Sequence, residues 1–407
     1  MPAHASMRIL FLNHNLIWRG TFFRCLGFAR ELVKRGHEVD LWTTASDRHG
    51  YGIRMVEDGV RIWQTPRWRR LGGHDGGYAP VDNVARLIRA CRCNWEVVHA
   101  FDHRPNVLLP WWWMRFRRRV IGRRSVPLFV SDWCDWWTAG GITTGRRAWP
   151  AVDRIEQRIE EGSKRRADGV TVISSVLYER ARGVGIPEER LLRLPSGVAV
   201  EKFPILDKEE CRRRLGLPLD RSGLGFVGYS FWDLQMLAET FQRVRREHPG
   251  VFLLVIGGGV EEQAKDIFRK NFAIGEDVFL PGVVSFSEVP AYLASCDVHL
   301  LPMQNHLANR ARLPNKLCDY FASGRPVAVS DVGEAAEYVR RYRAGLVGGE
   351  TAEPLAQACL RLLNDPLLAE TCGRQARCVA ETELAYSTLT DSLLEFYQKR
   401  RMQEMNQ

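Results

Sequence analysis

The chain has no run of about 18 apolar residues, so no membrane-crossing helix is expected from its 407 residues. Its first residues, MPAHASMRILFL, lack an apolar region followed by a small-residue cleavage site, so they read as a first strand and not as a secretory signal. The ten cysteines are scattered and contain no CxxC pair. That argues against a zinc ribbon and fits reduced thiols in a cytosol. No cluster of His, Cys and acidic residues has metal-ligand spacing, so no metal and no cofactor are expected. No stretch is biased enough in composition to be disordered, and no short-period repeat is present.

What is present is too much apolar chain for one core. With 45% hydrophobic residues, the length exceeds the roughly 250–300 residues at which single cores stop growing, so two domains are expected. The net charge of +10 is unevenly placed. Residues 1–200 carry 33 Lys and Arg against 20 Asp and Glu, a net of +13, whereas residues 201–407 carry 25 against 28, a net of −3. Twelve of the 13 Trp also lie in the first half. Different partners for the two halves are implied.

Short apolar runs alternate with helical patterns from end to end. Arg8–Leu12, Glu38–Thr44, Glu96–Phe101, Val126–Val130 and Val170–Ser174 read as buried parallel strands of the first half. Leu224–Gly228, Phe252–Gly257, Val278–Leu280, Val298–Pro302 and Val327–Val329 repeat the pattern in the second. The alternation predicts two doubly wound α/β domains with ligands at the carboxyl ends of the strands. The irregular stretch Pro195–Leu217 is the expected boundary, giving residues 1–200 and 201–385, followed by a helical tail over 386–407.

Leu313–Val327 (LPNKLCDYFASGRPV) places Pro314 before a predicted helix whose first amides are free to meet an anion. Lys316 adds a positive charge at that end, and Asp319, one turn on, suits a sugar diol. Phosphate plus hydroxyl recognition is one reading; a capped helix with a solvated Lys is the other.

This segment resembles the donor-binding signature of GT-B glycosyltransferases, specifically the retaining family 4. Gly20-Thr21 with Leu26–Val39 (LGFARELVKRGHEV), Ala167–Ser175, Leu194–Val198 (LPSGV), Leu254–Gly259, Phe279–Val284 and Cys296–Pro302 resemble the same family in order, over residues 7–390. The resemblance implies two Rossmann-like domains facing each other across a cleft, an acceptor-side N-terminal half, a donor-binding C-terminal half, and a last helix that packs back on the first domain. It implies a retaining transferase acting on a UDP- or GDP-linked sugar and a saccharide or lipid-linked acceptor, in polysaccharide or glycoconjugate synthesis.

By the same resemblance, Asp319 holds the ribose and backbone groups near Gly282, Val283 and Val284 hold the base. Lys316 and the amides from Asn315 through Leu317 face the diphosphate, and Gly20 and Thr21 approach it from the first loop. Three departures from the family pattern stand out. Ala311 occupies the place of a Glu, the Arg and Lys usual after the first C-terminal strand are missing from Phe226–Gln235, and Phe101 fills the slot of a catalytic His. Arg310 and Arg312 are candidates for the missing charge. His103, which opens a loop, is the preferred candidate for the missing imidazole, with His99 more naturally packed in the strand.

Leu108–Arg124 (LLPWWWMRFRRRVIGRR), with Arg61–Arg70, fits a monotopic membrane face, or a Trp-filled core with solvated arginines. No recognised nucleic-acid module accompanies the charge, so nucleic acid is not an expected partner. An anionic membrane surface is a candidate one, with the protein cytoplasmic and peripheral at its inner face. Asp132 and Asp135 in Asp132–Trp137 (DWCDWW), together with His99, are candidate acceptor contacts, or the acids cap the next helix. An epimerase, a phosphorylase and a non-catalytic sugar- or lipid-binding relative of the same fold are the alternatives.

Overall fold

The computed structural model describes residues 6–47, 51–67, 76–91, 94–121, 127–144, 149–228, 233–257 and 266–405. The chain divides into two compact units, residues 1–195 with 386–407, and residues 196–385.

The N-terminal unit is built on an eight-stranded sheet: β1 Arg8–Leu16, β2 Glu38–Thr44, β3 Ile53–Glu57, β4 Val60–Thr65, β5 Val97–Phe101, β6 Leu128–Trp133, β7 Gly169–Val172 and β8 Leu191–Arg193. The strand order is β3-β4-β2-β1-β5-β6-β7-β8. Every pair is parallel except β3–β4, an antiparallel hairpin at the edge. That hairpin includes Arg61–Thr65, which the sequence presents as part of a basic surface stretch; Arg61 pairs with Asp40 at 2.9 Å, and residues 68–70 of the stretch lie outside the described residues. The intervening helices are α1 Thr21–Lys34, α2 Pro80–Ala90, α3 Pro105–Ile121, α4 Pro150–Arg165 and α5 Ser175–Gly183.

Helix α3 runs through Pro110 without ending there. A proline leaves the carbonyl four residues back without its amide partner. That carbonyl, of Asn106, accepts instead from Arg86 Nη1 at 3.0 Å. Arg86 is itself buried and paired with Asp82 one turn away in α2 at 2.7 Å, so a side chain from another helix compensates the local defect.

The helix Tyr386–Met405 completes this unit. Gly27 in α1 permits the contact, because a Cβ there would lie 2.2 Å from the Tyr386 ring. Tyr397 hydrogen-bonds His99 at 2.6 Å, and Arg400 Nε donates to the Asp168 carbonyl at 2.6 Å.

The unit 196–385 carries a six-stranded, all-parallel sheet of β9 Gly223–Val227, β10 Phe252–Ile256, β11 Val278–Gly282, β12 Val298–Leu301, β13 Val327–Val329 and β14 Gly345–Val347. Its order is β11-β10-β9-β12-β13-β14. The central strands are apolar on both faces because helices cover both. On one face, Leu224, Phe226, Leu253 and Val255 pack against Leu237, Phe241 and Leu355; on the other, Leu254 and Ile256 meet Cys296 and Leu217. β8 and β14, like the edge hairpin β3–β4, escape the sequence reading.

At the centre of the N-terminal unit, the fully buried Arg24 meets Asp132 through two hydrogen bonds, of 3.0 and 3.1 Å. It also donates to the carbonyls of Leu194 and Pro195 at 2.7 and 2.6 Å. Removing one member of such a pair strands the other charge in the interior. We expect Arg24→Ala to lower the unfolding free energy by about 3–5 kcal/mol. Arg24→Met/Asp132→Leu, which removes both charges, should recover part of that loss. Urea denaturation of the full chain monitored by Trp emission measures both.

Candidate functional site

In the C-terminal unit, three strand ends converge on glycines. Gly228 N donates to Ile256 O, and Gly257 N donates to Gly282 O, each at 2.9 Å. Gly257 has φ +139°, and a Cβ there would lie 2.4 Å from the Gly228 carbonyl. A Cβ on Gly228 would lie 2.7 Å from Lys316 Nζ. These contacts need glycine because backbone and an ammonium approach where a side chain would otherwise stand.

The helix Asn315–Ala322 starts at this point. Pro314 is its N-cap, and no side chain caps its first turn. Leu317 N donates to Pro314 O at 3.0 Å, while the amides of Asn315 and Lys316 keep their donor capacity at the positive end of the helix dipole. The helix is anchored by Tyr320, whose hydroxyl accepts from Val227 N at 2.8 Å, while the Tyr320 ring stacks on His299 at 4.5 Å. Ser196 Oγ donates to Leu313 O at 2.9 Å, fixing the approach to the helix. Gly324, with φ +72°, ends it as the sequence suggested.

Lys316 Nζ is covered, lies 4.1 Å from the centroid of the Phe226 ring, and has no hydrogen-bond partner among the described residues. Burial pulls its pKa down to about 7; Asp233 opposes that shift and Arg312 adds to it. Asp319, one turn along, is partly accessible yet densely surrounded, and burial pushes its carboxyl up to about 7. No partner for that carboxylate appears among the described residues.

Arg312 Nη2 lies 3.5 Å from Asp233 Oδ2, so of the two candidate arginines it is the one held beside Lys316. Arg310 is exposed, and its backbone packs against Gly333. Ala311 is fully buried. Asp233, buried at the start of the helix Leu234–Glu247 without capping it, was not legible in the sequence. Residues 229–232, in the stretch lacking the expected Arg and Lys, lie outside the described residues, as do 258 and 259. Gly282 ends β11 with φ +75°. Val283 after it is 71% exposed, and Val284 packs beside Phe252 and Leu254.

In the N-terminal unit, Gly20 has φ +52° and opens α1. A Cβ there would lie 2.7 Å from Asn15 Nδ2, which donates to Thr21 Oγ1 at 3.2 Å. His103 is buried at the carboxyl end of β5. Its Nδ1 is 2.7 Å from Asp102 Oδ1 and its Nε2 3.7 Å from Glu156 Oε1. Burial disfavours its charge, but Asp102 and Glu156 outweigh that and raise its pKa. His14 shares Asp102, at 3.4 Å from Oδ2, yet burial lowers its pKa. Arg104 donates to Glu156 at 2.6 Å and covers the Trp137 ring at 4.2 Å. Asp102 itself has φ +87°, an uncommon conformation for a residue with a Cβ. His14, Arg104 and Glu156 were missed because they come from three separate segments.

Two of the expected acceptor contacts are corrected. Asp132 is completely buried, with its oxygens engaged by Arg24 and the Thr171 hydroxyl, so it holds the fold together and caps no helix. His99 is completely buried between Tyr397 and Thr171, with its pKa down to about 3 by burial, so its ring stays neutral and structural. Asp135 is half-buried, next to Cys134. Of the neighbouring Trp residues, Trp133 is core, donating to Glu160 at 2.8 Å. Among the described residues, no group of His, Cys, Asp and Glu could hold a metal ion.

Residues 20–197 match the family model described as glycosyl transferase 4-like domain, and residues 221–365 match that of glycosyl transferases group 1. A GDP-mannose-dependent alpha-(1-6)-phosphatidylinositol monomannoside mannosyltransferase of Mycobacterium tuberculosis is 26% identical over 264 residues, 63% of this chain and 67% of the relative. A D-inositol 3-phosphate glycosyltransferase of Acidothermus cellulolyticus is 29% identical over 84% of this chain and 77% of its own. Among solved structures, a sucrose-phosphate synthase of Thermosynechococcus elongatus superposes with a TM-score of 0.75 at 18% identity, covering 97% of this chain and 99% of that one. HepE of Anabaena, solved with UDP and glucose, gives 0.67 at 15% identity, over 96% and 99%.

The Lys316 geometry has a pH signature. An anion beside Nζ favours the ammonium, so binding should draw in a proton wherever the free amine is neutral, above pH 7. A sugar nucleotide, whose diphosphate diester does not titrate in this range, should bind with uptake of a proton at pH 8 and little uptake at pH 6. Affinity should fall as pH rises through 7–8. Calorimetry in buffers of different ionisation enthalpy reads the proton, and Lys316→Met should abolish the uptake.

Proposed function

The chain belongs to the group 1 glycosyltransferases of the GT-B fold, and from that premise we propose how its residues carry the reaction. It transfers a sugar from a nucleoside-diphosphate donor to a saccharide or lipid-linked acceptor, with retention of configuration, in the synthesis of a polysaccharide or glycoconjugate. The observation that carries this reading is the Lys316 ammonium, which has no hydrogen-bond partner among the described residues, at a helix start without a side-chain cap, with the Asp319 carboxylate one turn away. Together they match a diphosphate followed by a ribose diol.

The Lys316 ammonium and the amides of Asn315 and Lys316 take the diphosphate, with Arg312 beside them; the Leu317 amide is already bonded to Pro314 O. Asp319 accepts hydrogen bonds from the ribose hydroxyls. The base lies against the backbone of Gly282, Val283 and Val284. As the bond between the anomeric carbon and the phosphate oxygen breaks, negative charge grows on that oxygen, and cations already in place stabilise it without reorganisation. The acceptor oxygen forms the new glycosidic bond on the same face, and its proton passes to the departing phosphate oxygen. The proposal assigns the diphosphate charge to these protein groups and needs no metal ion.

The N-terminal unit serves the acceptor side. His103, whose pKa Asp102 and Glu156 raise against the effect of burial, is suited to donate to a sugar hydroxyl, and Gly20 and Thr21 offer a loop that a phosphate can approach closely. Lipid-linked acceptors are supported by α3. Trp111 is buried and stacks on Phe129 at 3.7 Å, but Trp112, Trp113 and Phe116 are exposed beside Arg115 and Arg117. That arrangement suits peripheral contact with an anionic membrane. The protein would then work at the cytoplasmic face; arginines 123 and 124 lie outside the described residues.

Incubation with UDP- and GDP-linked sugars should give slow donor hydrolysis, and transfer once the acceptor is supplied. NMR of the product should show the donor's anomeric configuration. Asp319→Ala should lower turnover per unit donor about 10- to 100-fold, the range for hydrogen bonds to a charged group. Lys316→Ala should cost about 100-fold or more. An inverted product, or unchanged kinetics in both variants, would overturn the assignment.

A further inference from the structure

Helix α4, Pro150–Arg165, is built inside out. Its buried face is polar. Glu156 meets Arg104 and the Tyr78 hydroxyl, at 2.6 and 2.8 Å. Glu160 takes the Trp133 indole and pairs with Arg180, and Lys164 donates to Ser131 Oγ and the Asp132 carbonyl at 2.8 and 2.5 Å. Val152, Ile155 and Ile159, spaced three and four residues apart, form one stripe that adjoins this polar face and reaches solvent, 41, 54 and 39% exposed. Trp149, just before the helix, is 72% exposed. The exposed charged residues along 149–166 are Arg154, Arg158, Arg165 and Arg166; the acids Asp153 and Glu161 are half-buried, and Glu156 and Glu160 are buried.

This stripe has neighbours of the same kind. The connections from β4 to β5, β5 to β6 and β6 to β7 all step in one direction across the sheet. Right-handed crossovers therefore put α2, α3 and α4 on one side of it. Arg115 of α3 donates to the Arg166 carbonyl at the end of α4, at 3.3 Å, so the two helices adjoin. On α2, Val84 and Ile88, one turn apart, are exposed as well.

We propose that α4 is a membrane-seated helix: Val152, Ile155 and Ile159 enter the acyl boundary of an anionic bilayer, Trp149 sits at the headgroup level, and the four arginines bind lipid phosphate. Aliphatic side chains flanked by arginines that can snorkel match a lipid surface. A second copy of this chain would set arginine against arginine, and the aliphatic stripe, which a nucleic acid could not stack on, matches acyl chains. The proposal rests on the membrane contact of α3 given above and extends it to a surface spanning adjacent helices.

The test is flotation of the full-length protein with phosphatidylglycerol-containing vesicles, and with phosphatidylcholine vesicles, at low salt. Wild type should float with the anionic vesicles only. Ile155→Asp/Ile159→Asp should lower the bound fraction at least tenfold, while donor hydrolysis without vesicles, which reports the fold and the enzyme reading separately, stays unchanged. Trp112→Glu/Phe116→Glu serves as the α3 comparison. If the α4 variant floats like wild type while the α3 variant does not, membrane contact stands without α4 and this proposal falls. If wild type does not float, both fall. A wild-type dimer by light scattering that Ile155→Asp/Ile159→Asp converts to monomer would show that a second copy covers the face. Loss of donor turnover in wild type with flotation intact would overturn the enzyme reading and leave this one standing.

Discussion

A buried ammonium without a hydrogen-bond partner is unfavourable unless something binds it, and Lys316, which has none among the described residues, is held in that condition by its surroundings. Gly228 leaves room for Nζ, the Phe226 ring lies beneath it, and Pro314 starts the helix so that the amides around it stay uncapped. Burial pulls the amine down to about 7, so the free site sits near the balance between charged and neutral forms. In the proposed donor site, an incoming diphosphate would supply the missing counter-charge and restore the ammonium. The same property that makes the empty site costly makes the occupied one favourable, and it places positive charge where the leaving group develops negative charge.

The N-terminal unit handles charge in the opposite way. Its buried ions are paired: Arg24 with Asp132, Arg86 with Asp82, Arg104 with Glu156, Glu160 with Arg180. Such pairs do more to fix one arrangement than to add stability, because desolvation offsets much of their attraction. Arg24 and Asp132 tie α1 to β6 and to the chain at Leu194 and Pro195. Arg86 lets α3 pass through Pro110. Glu156 and Asp102 favour the charged form of His103 at the end of β5. A helix that spends its buried face on such polar contacts, as α4 does with Glu156, Glu160 and Lys164, has its apolar residues left for the outside. The proposed membrane surface would thus share its origin with the buried polar network.

Much of this was legible in the chain, and the reason is locality. The donor helix compresses Pro314, Lys316, Asp319 and Gly324 into twelve consecutive residues, from Leu313 to Gly324, so its chemistry reads directly. Buried parallel strands announce themselves as short apolar runs, and the final helix rejoins the first unit as the resemblance implied. What escaped was built from distant segments. Asp233 approaches Arg312 from another strand end, and His14, Asp102 and Glu156 converge from three elements. Asp132 misled because a carboxylate beside tryptophans suits sugar binding, while Arg24, more than a hundred residues away, decides its role. The stripe Val152, Ile155, Ile159 would read as core by periodicity alone, and the burial of Glu156 and Glu160 reverses that.

The account stands or falls on the electrostatic state of Lys316. Selective ¹⁵N labelling of lysine, with assignment through Lys316→Met, allows its titration to be followed by NMR with and without a nucleoside diphosphate. A titration near pH 7 in the free protein that moves upward by two units or more on binding is the predicted result. An amine that titrates near its ordinary 10.5 in both states would contradict the central claim.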